Sequence, residues 1–187
     1  VIYFDIIYVT YTKGANPIQG DVGEIDADDL ASTLITNNVL EDGNTVGWYL
    51  ASDLTTITKD GSDYVSAWND KLGSGNNLTQ TSGSNQPQWV ANSVLFPGVD
   101  EYIKTGAIVW PQPCYVYLVA KQVTWTANEY IFTAVGIYAV WLHQRTSSPN
   151  VRIYAGTALA LNGNWPLDTY AVIRAFFNGA NSKLQIN

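Results

Sequence analysis

Residues 114–121 read CYVYLVAK, and their alternation decides the fold class. Side chains of an extended strand point to opposite faces in turn, with a period of two. Val116, Leu118 and Ala120 therefore share one face, and Tyr115, Tyr117 and Lys121 share the other. The pattern returns three times downstream. In IYAVWLHQR (137–145), Val140 and Leu142 oppose Trp141, His143 and Arg145. In VRIYA (151–155), Val151 and Ile153 oppose Arg152 and Tyr154, and in YAVIRAFF (170–177), Ala171, Ile173 and Ala175 oppose Tyr170, Val172 and Arg174. Each segment predicts a strand with an aliphatic face and an aromatic-cationic face. Arg145, Arg152 and Arg174 are the only arginines of the chain, and all three fall on the second kind of face. Turn-forming Gly, Pro, Asn and Ser recur at short intervals between such runs, so the chain is predicted to be all-β.

Composition sets the outer limits. The chain has 187 residues, 47% hydrophobic and only 13% charged, which fits one main domain with a sizeable core and not a disordered chain. A net charge of −7 argues against nucleic-acid and anionic-membrane partners. That charge is uneven: residues 1–100 carry thirteen acids and three lysines, whereas residues 101–187 carry three acids and six bases. Cys114 is the only cysteine, so neither an internal disulfide nor a cysteine-based zinc site can form. The apolar stretch Val1–Val9 is too short to span a bilayer, and no membrane insertion is expected.

Along the chain, residues 1–47 separate from residues 48–187. The first part opens with strand-like VIYFDIIYV, breaks at KGANP, and continues as an acidic connector. Within that connector, DADDLASTLITNNVL predicts a short helix over 28–38, with Asp26 or Asp28 as its N-cap. Residues 1–47 thus read as an attachment arm, and the continuous β pattern follows.

Several segments of that second part are distinctive: WYLASDLTTIT (48–58), VSAWNDKLGSGNNLTQ (65–80), QPQWV (86–90), VLFPGVDEYI (94–103) and FFNGANSKLQIN (176–187). In order and content they resemble the concanavalin A-like, laminin-G-like jelly-roll domains of phage virion and bacterial surface proteins. The resemblance covers about three quarters of the chain and implies a two-sheet antiparallel sandwich. Such domains usually run a few strands past the last hairpin, so it also implies a sheet edge completed by further chain or a neighbouring subunit. Physical reasons sit under the same residues. Gly73, Gly75 and Asn76 allow a tight loop, Trp68 is large enough to plug one end of a core, and NGANSK (178–183) is a natural hairpin turn.

Candidate sites follow. GEIDADD (23–29) is similar to the Glu-x-Asp-x-x-Glu signature of jelly-roll glycosidases, in which two carboxylates flank the scissile bond. Here it precedes the domain and ends in aspartate, so it reads as an acidic linker; no catalytic residue is assigned and a glycoside hydrolase is the remote alternative. Asp70, Asp100 and Glu101 offer oxygen atoms to a calcium ion but lack the spacing of a compact calcium loop, and they read as solvated turn residues. No metal or other cofactor is expected. The aromatic-cationic set Tyr117, Trp141, His143, Arg145, Arg152, Tyr154 and Arg174 is the binding candidate, as a glycan groove or a subunit interface. The resemblance implies a non-enzymatic virion protein located in a head fibre, decoration or tail fibre. Its partners would be other virion subunits, a homotrimer by analogy, and a host-surface glycan. The alternative is a carbohydrate-binding module of a secreted bacterial surface protein.

Overall fold

The computed structural model describes residues 2–11, 45–106, 108, 112–134, 140–144, 149–156 and 158–187. These form antiparallel strands throughout: the chain is all-β. The connector helix predicted over 28–38, the GEIDADD run and Arg145 lie outside the described residues.

The largest sheet is built around β1 (Ile2–Tyr11) and β8 (Cys114–Gln122). Beyond β8 it continues through β13 (Tyr170–Phe177) to an edge at β14 (Lys183–Ile186). On its other side β1 is shared between two partners. Ile2–Phe4 pairs with β7 (Ser93–Phe96), and Ile6–Thr10 pairs with β2 (Thr45–Leu50). Past β7 lies β6 (Gln88–Val90). The remaining strands make two smaller sheets. Short strands β3 (Ile57–Lys59), β4 (Val65–Trp68) and β5 (Leu78–Thr79) form one. The other runs in the order β12 (Ala158–Asn164), β11 (Asn150–Ala155), β10 (Val140–Gln144) and β9 (Tyr130–Ala134).

The turn and charge pattern predicts an attachment arm over residues 1–47, but the structure pairs residues 2–11 into the largest sheet. A strand rich in β-branched and aromatic residues gains most where both of its edges find hydrogen-bond partners, and β1 has β8 along one edge and β7 and β2 along the other. A bulge at Asp5 keeps Phe4 opposite Ala120 and Ile7 opposite Leu118, two core positions of β8. The body also starts before Trp48, because β2 begins at Thr45.

The alternation read from the sequence sorts core from cover. Val116, Leu118, Ala120, Ile173, Ala175 and Phe177 of the large sheet share one core cluster with Leu142, Val151, Ile153 and Ala155 of the four-stranded sheet. A buried amide pair joins the same two sheets: Gln144 Nε2 donates to Gln122 Oε1 at 2.5 Å, while Gln144 Oε1 accepts from the Thr126 N–H at 2.9 Å. Gly163 lies close to β14: a Cβ there would meet the δ-methyl of Ile186, which would have to shift.

The aromatic face of β8 is buried too, contrary to a reading of CYVYLVAK in which only the aliphatic side is core. Tyr115, Tyr117 and Val119 are enclosed like the residues between them. The Tyr115 ring stacks on Phe176 at 4.5 Å and on Tyr117 at 5.9 Å, so the rings cover one another.

The loop after β4 explains the WNDKLGSGNN segment. Trp68 is fully buried and meets Tyr49 edge-on at 6.0 Å. Asp70, expected to be solvated, is only 5% exposed. Its Oδ1 accepts from the N–H groups of Trp48 (2.8 Å) and Leu72 (3.2 Å), and its Oδ2 accepts from the Ser74 N–H (3.1 Å) and hydroxyl (2.5 Å). Asn77 Oδ1 accepts from the Asp70 N–H, Asn76 Nδ2 donates to the Val46 carbonyl, and the Tyr49 hydroxyl donates to the Asn76 carbonyl. Burial, followed by the charge of Asp70, pushes the Tyr49 phenol further up from its usual value, so it stays a donor. Asp70 thus pins the loop to β2.

Candidate functional site

The six described candidate binding residues do not share one surface. Tyr117 and Arg174 belong to the large sheet, where they are directly paired across β8 and β13. Trp141, His143, Arg152 and Tyr154 belong to the four-stranded sheet, where Trp141 pairs with Tyr154 and His143 with Arg152. The core holds the aliphatic faces of both sheets, so their other faces lie on opposite sides of it. One continuous groove through all of these residues is geometrically excluded. Period two identifies neighbours on a strand's face; it does not say which sheet the strand joins.

On the four-stranded sheet, His143 is buried and stacks on the exposed Tyr130 ring at 5.7 Å, with Arg152 half-buried on the neighbouring strand.

The large sheet carries a groove of about 360 Å³, lined by Tyr115, Arg174, Phe176, Lys183 and Gln185. Strand register builds it as a grid. Tyr117, Arg174 and Gln185 lie in one row across β8, β13 and β14, and Tyr115, Phe176 and Lys183 lie in the next. Residues two apart on a strand and directly opposite across strands share a face, so the hairpin carries the alternation around its turn. That turn is held by Ser182, whose hydroxyl donates to the Gly179 carbonyl at 2.7 Å and accepts from the Asn178 N–H at 2.7 Å. Gly179 takes a positive φ of 49°.

Arg174 is oriented by packing. Its guanidinium carbon lies 5.0 Å from the centre of the Tyr115 ring, within the range of a cation–π contact. Tyr117, two residues along β8 from Tyr115, is buried at 1% exposure and does not line the groove; half-buried Phe176 is the accessible ring, and Lys183 is exposed. No carboxylate is among the described residues lining the groove. Farther along the same face, Lys121 is 3.5 Å from Asp168 and lies over Tyr170. Of the six described residues singled out by alternation, then, Arg174 alone lines the groove. The set omits Tyr115, Phe176, Lys183 and Gln185, although following the alternation of YAVIRAFF through the NGANS turn finds the last three.

The remaining candidates have structural roles. Glu101 Oε2 accepts from the N–H groups of Val99 (2.9 Å) and Gly98 (3.1 Å). Desolvation is the largest single influence on its carboxyl and raises the pKa, but the backbone hydrogen bonds together outweigh it and hold the group below its usual value. Asp70 has its acceptor positions taken up by backbone and hydroxyl donors. No group of three or more His, Cys, Asp or Glu side chains suited to a metal occurs among the described residues. Burial pushes the Cys114 thiol up to about 12, which removes its nucleophilic form at neutral pH. Among the described residues, no helix is long and apolar enough to cross a membrane. Comparison with protein-family profiles, characterised proteins and solved structures finds no match to this chain.

Proposed function

We propose that this protein is a non-enzymatic virion component, of the head-fibre, decoration or tail-fibre kind, whose body is a concanavalin A-like jelly roll that presents a contact face. The jelly-roll reading is supported by two antiparallel sheets sharing one core and by the segments that carry the resemblance. The observation that carries the binding role is the groove beside β14, in which two cations alternate with aromatic rings and an amide. That combination suits recognition: arginine and lysine supply charge, and rings supply apolar area at small entropic cost. Acid–base hydrolysis would instead need paired carboxylates.

Edge strand β14 bears one wall of the groove, so host-surface contact and contact with a neighbouring subunit use the same residues. Immunogold labelling of purified particles with an antibody against the folded chain tests the proposal. Label on the capsid or on tail fibres is expected, and particles bearing no label would overturn the virion assignment.

A further inference from the structure

We infer that the Asn178–Gly179 peptide, at the turn between β13 and β14, is a site of spontaneous deamidation that Gln112 holds in check while the chain is folded. The inference stands apart from the virion assignment.

The sequence supplies the reactive pair. Asparagine followed by glycine occurs twice in the chain, at Asn162–Gly163 and at Asn178–Gly179. Glycine has no Cβ, so nothing on that residue obstructs its backbone nitrogen from reaching the side-chain amide carbon of the asparagine before it. In the reaction the Gly179 nitrogen loses its proton and bonds to Cγ of Asn178. The Cγ–Nδ2 bond breaks, and ammonia leaves with that proton. Water then opens the cyclic imide at either carbonyl, leaving aspartate or isoaspartate. The two pairs sit differently in the fold. Gly163 lies within β12, opposite Val151, where the ladder keeps the backbone extended. Gly179 lies in a turn, where the backbone already bends.

The structure restrains that turn from outside the hairpin. The Gly179 N–H donates to Gln112 Oε1 at 2.6 Å, across 67 positions of sequence. A neutral amide oxygen is too weak a base to take the proton, and while it accepts the N–H it blocks hydroxide from doing so. The nitrogen must also leave Gln112 before it can swing onto Cγ. Bonds on either side of the reactive peptide oppose that movement. The Asn178 N–H donates to Ser182 Oγ at 2.7 Å, and the Asn181 N–H donates to the Asn178 carbonyl at 2.9 Å. The Ser182 hydroxyl donates to the Gly179 carbonyl at 2.7 Å. Ser182 is buried, and Gln112, Asn178 and Gly179 are half-buried, so water competes poorly for these groups. Deamidation therefore requires local opening of the turn, and its rate reports how often the turn opens. Either product alters the support of β14: isoaspartate adds a methylene to the main chain at the turn, and aspartate adds a negative charge there. Lys183 and Gln185, which line the groove, are on that strand.

The test incubates the full chain in mildly alkaline buffer, folded or unfolded in guanidinium chloride. Trypsin then cuts after Arg174 and Lys183, releasing residues 175–183, and fragment masses separate change at Asn178 from change at Asn181. Amide loss at Asn178 is expected in the unfolded chain and should be roughly tenfold or more slower in the folded one. Gln112→Ala should speed it about fivefold in the folded chain, as loss of one hydrogen bond would. Gln112→Glu keeps an acceptor oxygen and should stay near the parent rate. Thermal unfolding checks that the variants fold. No loss in the unfolded chain, or equal rates folded and unfolded, would overturn the inference. So would a folded Gln112→Ala variant that deamidates at the parent rate. Hydrogen exchange of the parent gives an answer that needs no variant: the Gly179 amide should be protected, and exchange at the rate of an unstructured chain would overturn the restraint.

Discussion

Replacing Asp70 with alanine should destabilise the body far more than a loop aspartate ordinarily would. Its carboxylate accepts from Trp48, Leu72 and Ser74 backbone N–H groups and from the Ser74 hydroxyl. Hydrogen bonds to a charged acceptor contribute about 1.5–3 kcal/mol each, but they are not additive. Ser74 is exposed and Leu72 is half-buried, so water replaces much of what those two donors lose. The Trp48 N–H at 2.8 Å, on a strand paired with β1, has the least access to a substitute. One strong bond lost outright, plus loosening of the loop around Trp68, gives about 3–4 kcal/mol. For a chain of this size that lowers Tm by roughly 10 °C. Asp70→Asn keeps one acceptor oxygen and should lose about half as much. Urea unfolding followed by tryptophan fluorescence reads both, because Trp48 and Trp68 flank the site. A loss below about 1 kcal/mol for Asp70→Ala would refute the reasoning and leave the buried Trp68 as what holds the loop.

Three further outcomes are expected. Phe4→Ala, which removes a buried ring edge-on to Phe96 at 5.4 Å, should cost about 3–5 kcal/mol by chemical denaturation; an unchanged midpoint would return residues 2–11 to the status of an arm. The Asp53 carboxyl is lowered to about 2, first by its hydrogen bond from Lys71 and then by Thr55. Because the folded value lies below the unfolded one of about 3.9, its contribution is present above that pH and fades as pH falls through about 2. Exposure to solvent limits it to under about 1 kcal/mol, so acid titration of Asp53→Asn against the parent should differ only above roughly pH 2 and by that amount. Cys114, buried and held up to about 12, should resist thiol reagents at pH 8 and react at once in denaturant; rapid labelling of the native protein would contradict its burial.

Much of the fold is legible in the sequence where the information is local. The alternation of CYVYLVAK and VRIYA identifies the core faces, because period two is a property of a single strand. The β13–β14 hairpin is legible for the same reason, as its turn residues lie between its own strands. What stays hidden is non-local. Nothing in VIYFDIIYV says that its partners are β8, β7 and β2, and nothing in Trp141 or Arg174 says that their strands enter different sheets. Asp70 is hidden in the same way, because a carboxylate in a Gly-rich turn looks solvated until Trp48, distant in sequence, is brought alongside it. The groove combines both cases: Arg174 is visible on its own strand, but Phe176, Lys183 and Gln185 emerge only when the hairpin register is followed around its turn.

The central position of β1 has a kinetic consequence. Ile7 pairs with Leu118, so the strand leaves the ribosome well before the segment it must join. Loop closure over that distance must precede the contacts that reward it, and folding of such topologies is slow. During synthesis β2 and β7 emerge earlier and can cover one edge of this strand, but the edge that β8 takes stays unpaired, and it can pair with a neighbouring nascent chain. Yield in a cell should therefore respond to translation speed and chaperone supply more than equilibrium stability alone would indicate.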